Sequence, residues 1–79
     1  MTLDELNIGQ LARIQQVLDS PFKEKLQEMG CVPGVLIQPI FKAPFGDPIA
    51  YDIEGYTLSI RKSEAKNITV KPLDDLFKT

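Results

Sequence analysis

The stretch KLQEMGCVPG, residues 25–34, predicts the end of a short helix and the turn that leads into a strand. Phe22, Leu26 and Met29 recur at helical spacing, which places three apolar side chains on one face of that helix. Gly30 suits the left-handed conformation that closes a helix, since it has no Cβ to oppose a positive φ. We therefore expect one short helix here, in a chain whose other segments favour strands.

The neighbouring residues predict the start of this helix and the turn after it. Ser20 is the predicted N-cap and Pro21 the first helical residue, because an N–H in the first turn has no partner within a helix. The helix should then cover residues 21–29. Pro33-Gly34 favours a tight turn, since proline presets φ at one central position and glycine accepts a positive φ at the next. Residues 35–42 are the predicted strand after this turn.

The clearest β-hairpin covers residues 49–60. With Glu54-Gly55 as a two-residue loop, three apolar pairs share one face and two smaller or more polar pairs share the face expected to meet solvent. A shift by one residue would destroy this match, so the register is well determined. The predicted pairs are Ile53–Tyr56, Tyr51–Leu58 and Ile49–Ile60 on the inner face, and Asp52–Thr57 and Ala50–Ser59 on the outer face.

Two more strands and two single helical turns complete the predicted elements. Pro39 has no N–H to donate, so the strand that carries it should have an edge or a bulge there. The additional strands are residues 11–18 and 68–70, and the helical turns are residues 3–6, with a capping box from Thr2 and Glu5, and residues 62–67, capped by Ser63.

Five short strands in a chain of 79 residues favour a partly open, strongly bent barrel, because near-closure leaves few strand edges exposed. The predicted fold class is mostly β, a small five-stranded SH3-like barrel with one short helix inserted between the first and second strands. The length indicates a single domain, residues 1–79. Residues 71–79 are expected to fray or to fold back through Leu73, Leu76 and Phe77. An exposed strand edge near Pro39 would allow a homo-oligomer.

The charge balance limits the classes of partner. Nine basic and eleven acidic residues give a net charge of −2, whereas a nucleic-acid partner calls for a basic face. No apolar run approaches the ~20 residues that span a bilayer, so no membrane insertion is expected. The first ten residues are acidic and lack the apolar core of a signal peptide. The predicted location is the cytoplasm, where one unpaired cysteine is ordinary.

The residue types offer little for catalysis. The chain has no histidine to act as a base near neutral pH, and its serines have no evident activating partner. Neither a GxxxxGK[ST] nor a GxGxxG motif is present to hold phosphates. The chain is therefore not expected to be an enzyme.

Asp47, Asp52 and Glu54 raise the alternative of a divalent-cation site, with Cys31 as a softer ligand. The spacing of the three carboxylates is sparser than in oxygen cages, and an aspartate between glycine and proline commonly organises a turn. A lone cysteine behind a helix stop is more often a packed apolar residue. The favoured interpretation is no cofactor, with at most weak binding of ferrous or another divalent ion.

Phe45 lies at the tip of a loop rich in proline and glycine, residues 42–48. It could be an exposed apolar anchor for a partner, or it could fold back over the end of the barrel, and the sequence favours neither. Arg61 and Lys62, in contrast, are expected to extend from a strand end into water.

Three motifs in register resemble the ferrous iron transport protein A family, the FeoA domain. Met29 and Cys31 stand where such sequences usually carry leucine, so both positions remain apolar. The motifs are LDELNIGQLARI, residues 3–14, followed by KLQEMGCVPG, residues 25–34; APFGDP, residues 43–48; and TLSIRKSEAKNITV, residues 57–70.

The resemblance implies a small cytoplasmic accessory of bacterial ferrous iron uptake. It would bind and modulate the FeoB-type membrane permease, which carries a GTP-binding domain, and would be recruited by it to the inner face of the membrane. The alternative is a stand-alone transition-metal sensor or chaperone module. The same fold occurs in iron-dependent repressors, but this chain has no room for a winged helix. A proline-peptide binder is disfavoured because the chain has no tryptophan.

The residues expected to contact the permease lie in the helix-exit turn and in the proline-rich loop. Phe45 would be the apolar anchor, and two prolines would stiffen the loop and lower the entropy cost of ordering it. The predicted contact residues are Met29, Cys31, Pro33, Ala43, Pro44, Phe45, Asp47 and Pro48.

Overall fold

The computed structural model describes residues 1–73. It contains five strands, two short helices and one 3₁₀ turn, Leu3–Glu5. The strands are β1 (Ala12–Val17), β2 (Leu36–Lys42), β3 (Ile49–Ile53), β4 (Tyr56–Ile60) and β5 (Ile68–Pro72), and the helices are α1 (Lys23–Glu28) and α2 (Lys62–Ala65).

All five strands belong to one antiparallel sheet with the order β4-β3-β2-β1-β5. Helix α1 lies between β1 and β2 along the chain, so the predicted mostly β fold with one inserted helix is confirmed. The buried side chains form one apolar cluster that draws on every strand and on both helices. Within residues 1–73, no helix is long and apolar enough to cross a bilayer.

The register predicted for the hairpin of β3 and β4 is confirmed at all five pairs. Glu54 and Gly55 both have positive φ angles, 44° and 103°, as a two-residue turn that follows the right-handed twist requires. Two details differ, because Ala50 was expected on the solvent face but is buried, and Tyr56 was expected on the inner face but is 46% exposed.

Helix α1 is shorter than expected at its start. Phe22, rather than Ser20, is the N-cap, and the Ser20 hydroxyl accepts a hydrogen bond of 3.2 Å from the Phe22 N–H. Ser20 therefore organises the turn before the helix. The predicted stop at Gly30 is confirmed: its φ is 100°, and the Cys31 N–H donates to the Leu26 carbonyl at 2.9 Å. With the 3.1 Å bond from Gly30 N–H to the Gln27 carbonyl, this completes a Schellman motif.

The bulge predicted at Pro39 is confirmed, since the register of β2 against β3 shifts between Pro39 and Phe41. The edge expected there is not open, however, because the Gly9 N–H donates to the Pro39 carbonyl at 2.8 Å. The terminal strands of the sheet are instead β4 and β5.

Two expectations near the end of the chain need correction. Helix α2 is capped by Arg61, not by Ser63. Residues 71–73 do not fray as expected, because β5 continues through Pro72 and the Leu73 N–H donates to the Leu11 carbonyl at 2.9 Å. The expectation for Leu76 and Phe77 lies outside the described residues.

Candidate docking surfaces at the two ends of strand β2

The loop between β2 and β3, residues 43–48, is a closed turn that holds Phe45 in solvent. The Gly46 N–H donates to the Ala43 carbonyl at 2.7 Å, and the Ala43 N–H donates to the Pro48 carbonyl at 3.0 Å. Pro44 and Pro48 are exposed beside Phe45, whose side chain is 100% exposed. The sequence left two conformations open for Phe45, and the structure has the exposed one.

Asp47 connects this loop to helix α2. Its carboxylate accepts a hydrogen bond of 2.9 Å from the backbone N–H of Lys62, the first residue of α2. A carboxylate that accepts an N–H from the first turn of a helix also places its negative charge at the N-terminal end, where the helix dipole favours an anion. Asp47 thus has a structural role in fixing the loop, and its side chain remains exposed at the surface.

Two further apolar side chains are exposed on the same hairpin. Ile40 is 41% exposed and Phe41 is 59% exposed. Among residues 1–73, three of the seven exposed large apolar side chains therefore lie between positions 40 and 45. We call Ile40, Phe41 and Phe45 the apolar arm. Such concentration on one hairpin is typical of an interaction surface, since scattered single exposures are the ordinary case.

The helix-exit turn is built differently. Met29 is half-buried, and its carbonyl accepts a hydrogen bond from the Tyr56 hydroxyl. Val32 and Pro33 are exposed. Cys31 is fully buried, and this burial raises the pKa of its thiol to about 11. Cys31 is therefore a core residue, and the expectation that it belongs to a contact surface is corrected.

The two predicted parts of the contact surface do not meet. The turn at residues 29–33 precedes strand β2, and the loop at residues 43–48 comes after it. The seven residues of β2 extend roughly 20 Å at the usual rise of a strand. A small partner surface could engage one end or the other, so the predicted residues divide into two separate surfaces.

The four residues of the alternative metal site are also dispersed. Cys31 lies in the core, Asp47 binds the Lys62 N–H, and Asp52 pairs across the sheet with Gln38 and Thr57. The Glu54 carboxylate is 3.4 Å from the Leu36 N–H. In the part of the chain that the structure describes, no three His, Cys, Asp or Glu side chains are grouped to hold a metal ion. Weak binding of a divalent ion elsewhere stays a prediction.

The sequence reasoning missed Ile40 and Phe41 as members of the exposed surface. Their exposure follows from the bulge, because an extra residue in β2 interrupts the alternation that would have turned one of them inward. Pro39 was the available signal, since it predicted the bulge.

A partly buried ion pair joins the two helices and was also missed. The Lys25 ammonium lies 2.5 Å from the Glu64 carboxylate, which is 6% exposed. The hydrogen bond from Lys25 lowers the pKa of Glu64, and the Arg61 backbone N–H adds to this effect. The two residues are 39 positions apart, so no local pattern could have paired them.

A model of the FeoA domain matches residues 1–72 of this chain. The chain belongs to the FeoA domain family.

Three relatives illustrate the match. The Fe(2+) transport protein A/Fe(2+) transporter FeoB fusion protein of Porphyromonas gingivalis is 38% identical over 72 residues, which are 90% of this chain but only 8% of that protein. A FeoA-like protein from Clostridium acetobutylicum is 42% identical, with a TM-score of 0.87 over 92% of this chain and 86% of its own. Stenotrophomonas maltophilia FeoA, solved in complex with zinc and described as an SH3 domain protein, is 30% identical, with a TM-score of 0.80 over 90% and 89%.

Proposed function

We propose that this domain is a non-enzymatic accessory of ferrous iron uptake that docks on a FeoB-type permease and modulates transport. The observation that carries the proposal is the Porphyromonas gingivalis relative, in which a segment similar to this chain is part of one polypeptide with an Fe(2+) transporter. Covalent connection raises the effective concentration of two modules toward millimolar values, which favours an association that would be weak between separate chains. Two chains that occur fused in a relative are candidates for direct contact.

The apolar arm is the proposed docking element. Its three large apolar side chains would bury the most surface at the centre of an interface, where aromatic anchors dominate binding energy. The loop that carries Phe45 is already closed by two backbone hydrogen bonds and by the Asp47–Lys62 bond. Little conformational entropy is then lost on binding, which leaves more of the contact energy for affinity.

Docking of this kind would hold the domain at the inner face of the membrane, next to the GTP-binding part of the permease. The domain would act there by contact and by a shift in the populations of permease conformations, with no bond-making step of its own. The charge of −2 and the small size are compatible with a soluble module in the cytoplasm.

The proposal is tested by binding to a purified FeoB-type permease in detergent, measured by biolayer interferometry. Phe45→Ala should weaken binding at least ~10-fold, as expected for loss of a central aromatic anchor. Val32→Ala is the matched control, because Val32 is an exposed apolar residue at the other end of β2. Both variants should have free energies of unfolding within about 0.5 kcal/mol of the wild type, since both side chains are solvent-exposed.

The possible results distinguish a failure of the docking itself from a failure of its assignment to the apolar arm. A wild-type domain that does not bind the permease at any attainable concentration contradicts the docking itself. Wild-type affinity in a folded Phe45→Ala variant contradicts only the assignment to the apolar arm, and a loss of binding in Val32→Ala would move the contact to the helix-exit turn.

A further inference from the structure

A cleft lies beside the paired strands β1 and β5, where β1 bulges. The register between these strands shifts between Ile14 and Gln16, so Gln15 is the extra residue of the bulge. The cleft has a volume of about 280 Å³, just below the roughly 300–1,000 Å³ of small-molecule sites, so it suits one or two side chains of a polypeptide segment. Its lining consists of Arg13, Ile14, Gln15, Lys71 and Leu73.

The walls of this cleft combine two cations with apolar surface. Arg13 and Lys71 pair across the two strands, so their side chains leave the sheet on the same face. Both are exposed, and in the described part of the chain the ion pairs involve other residues. One nitrogen of the Arg13 guanidinium donates to the Gly34 carbonyl at 2.7 Å, which positions the group and leaves its other donors available. Half-buried Leu73 adds an apolar wall, so the complementary segment carries carboxylates beside a large apolar side chain.

The sequence directly after Leu73 has this complementary chemistry. It reads DDLFKT, residues 74–79, and lies outside the part of the chain that the structure describes. Two adjacent carboxylates come first, and two large apolar side chains follow at once. Leu73 is itself a wall of the cleft, and its N–H donates to the Leu11 carbonyl at 2.9 Å, which holds it beside the start of β1. The segment therefore begins at the cleft, with no linker to cross.

We propose that residues 74–77 occupy this cleft in the same molecule. The two aspartates contact the cationic groups of Arg13 and Lys71, and the Phe77 ring packs on Leu73. The opposite charges set the position of the segment, and burial of the ring supplies the apolar part of the contact. A partner segment of similar chemistry could enter the cleft only by displacing these residues.

The distance along the chain is the reason for an occupant from the same molecule. Four residues span at most about 14 Å, so the Phe77 ring stays within reach of a cleft that begins at Leu73. A segment attached this closely has an effective concentration in the roughly millimolar range or above, which a second copy reaches only in concentrated solution. Contacts that are weak one by one can then populate the bound form. The inference does not depend on docking to the permease, because it rests on the cleft and on the sequence beside it.

The direct test is ¹H–¹⁵N and ¹H–¹³C NMR of the whole chain. The Phe77 ring protons should show nuclear Overhauser effects to the Leu73 methyl groups, and Phe77→Ala should shift the Gln15 and Lys71 amide signals. Lys78→Ala is the matched control, since it changes the same segment outside the proposed contact, and it should leave both signals in place. Unchanged Gln15 and Lys71 signals in Phe77→Ala, with no ring contacts in the wild type, would overturn the proposal.

A dilution series distinguishes the same molecule from a second copy. Between about 0.05 and 1 mM, concentrations no higher than that of an attached segment, the ring contacts and the Gln15 signal should stay constant. Contacts that disappear on dilution would assign the cleft to the segment of another molecule and so refute the proposal.

Removal of the charges tests the ionic part independently. Asp74→Asn with Asp75→Asn keeps the shape of both side chains, and it should weaken the ring contacts several-fold. Glu24→Gln with Glu28→Gln, two exposed positions on α1, changes the net charge by the same amount and should have no effect. Added salt should act in the same direction as the aspartate variant, because it screens exposed charges. Equal responses to the two double variants would contradict the contact with Arg13 and Lys71.

Discussion

The ion pair between exposed Lys25 and buried Glu64 is expected to stabilise the packing of helix α1 against helix α2. The two charged groups are 2.5 Å apart, with Glu64 6% exposed and Lys25 57% exposed. Lys25→Met would leave the Glu64 carboxylate in the protein with the Arg61 N–H, 3.1 Å away, as its remaining donor. Glu64→Gln removes the charge but keeps an oxygen for that same donor. The two substitutions therefore isolate the ionic contact.

The burial of the two partners sets the size of the effect. Exposed ion pairs contribute about 0.2–1 kcal/mol, and hydrogen bonds to charged groups about 1.5–3 kcal/mol. Because Lys25 keeps more than half of its exposure, solvent screens part of this attraction. A double-mutant cycle over the two sites should give a coupling of about 1–2 kcal/mol at pH 7.

Urea denaturation of the wild type, both single variants and the double variant measures this coupling. The matched control is the pair of Lys23 with Asp19, where the atoms are 3.9 Å apart and Asp19 is fully exposed. A cycle of Lys23→Met with Asp19→Asn should give less than about 0.5 kcal/mol. A Lys25–Glu64 coupling no larger than that of the control pair would refute the reasoning.

The pH dependence follows from the lowered pKa of Glu64. Since the folded-state pKa lies below the ordinary glutamate value, the pair stabilises the fold fully above the unfolded-state pKa, about 4.3. That stabilisation is lost as the pH falls through the folded-state pKa. The stability difference between the wild type and Glu64→Gln should therefore be constant from pH 7 to about pH 5 and shrink below it.

Three further predictions concern single sites. The Tyr51 hydroxyl is buried without a hydrogen-bond partner in residues 1–73. Tyr51→Phe should therefore raise the free energy of unfolding by about 1 kcal/mol. A decrease of that size would mean that a bound water satisfies the hydroxyl. Gly30 has a φ of 100°, and a Cβ there would collide with the Tyr56 hydroxyl, whereas Gly9 has a φ of 87° in open space. Gly30→Ala should therefore lower the melting temperature well beyond the effect of Gly9→Ala, and equal effects would show that Tyr56 yields easily. Burial raises the pKa of the Cys31 thiol to about 11, so at pH 8 the native protein should not react with a disulfide reagent until urea unfolds it; prompt labelling would contradict this burial.

Elements set by short-range constraints were predictable from the chain. The hairpin register followed from alternation and from one turn, and the stop of α1 followed from a glycine that the Schellman geometry requires. The start of α1 was misplaced because Ser20 and Pro21 can serve either a helix cap or the turn before it. The first residue of such a helix depends on how the helix packs against the sheet, and the local sequence does not determine that packing.

The candidate surface was predictable only in part. The loop with Phe45 carried its own signal, because two prolines and a glycine within residues 42–48 indicate a turn, but the sequence left the exposure of Phe45 open. The exposure of Phe41 depended on how the bulge redirects β2, and the burial of Cys31 depended on how α1 covers the core.

Interactions between residues close in the chain, governed by sterics and by the alternation of side chains, determined the strands and the turns. The sequence motifs by themselves indicated the family of this chain. Only the tertiary structure showed that the length of β2 separates the two expected contact regions. The contact of Lys25 with Glu64 likewise exists only in the assembled fold. The same is true of the free edge of β4, since a strand becomes terminal through the order of its neighbours. The physical reason is that packing couples residues far apart in the chain, and only their positions in three dimensions determine which groups are buried, paired or left available.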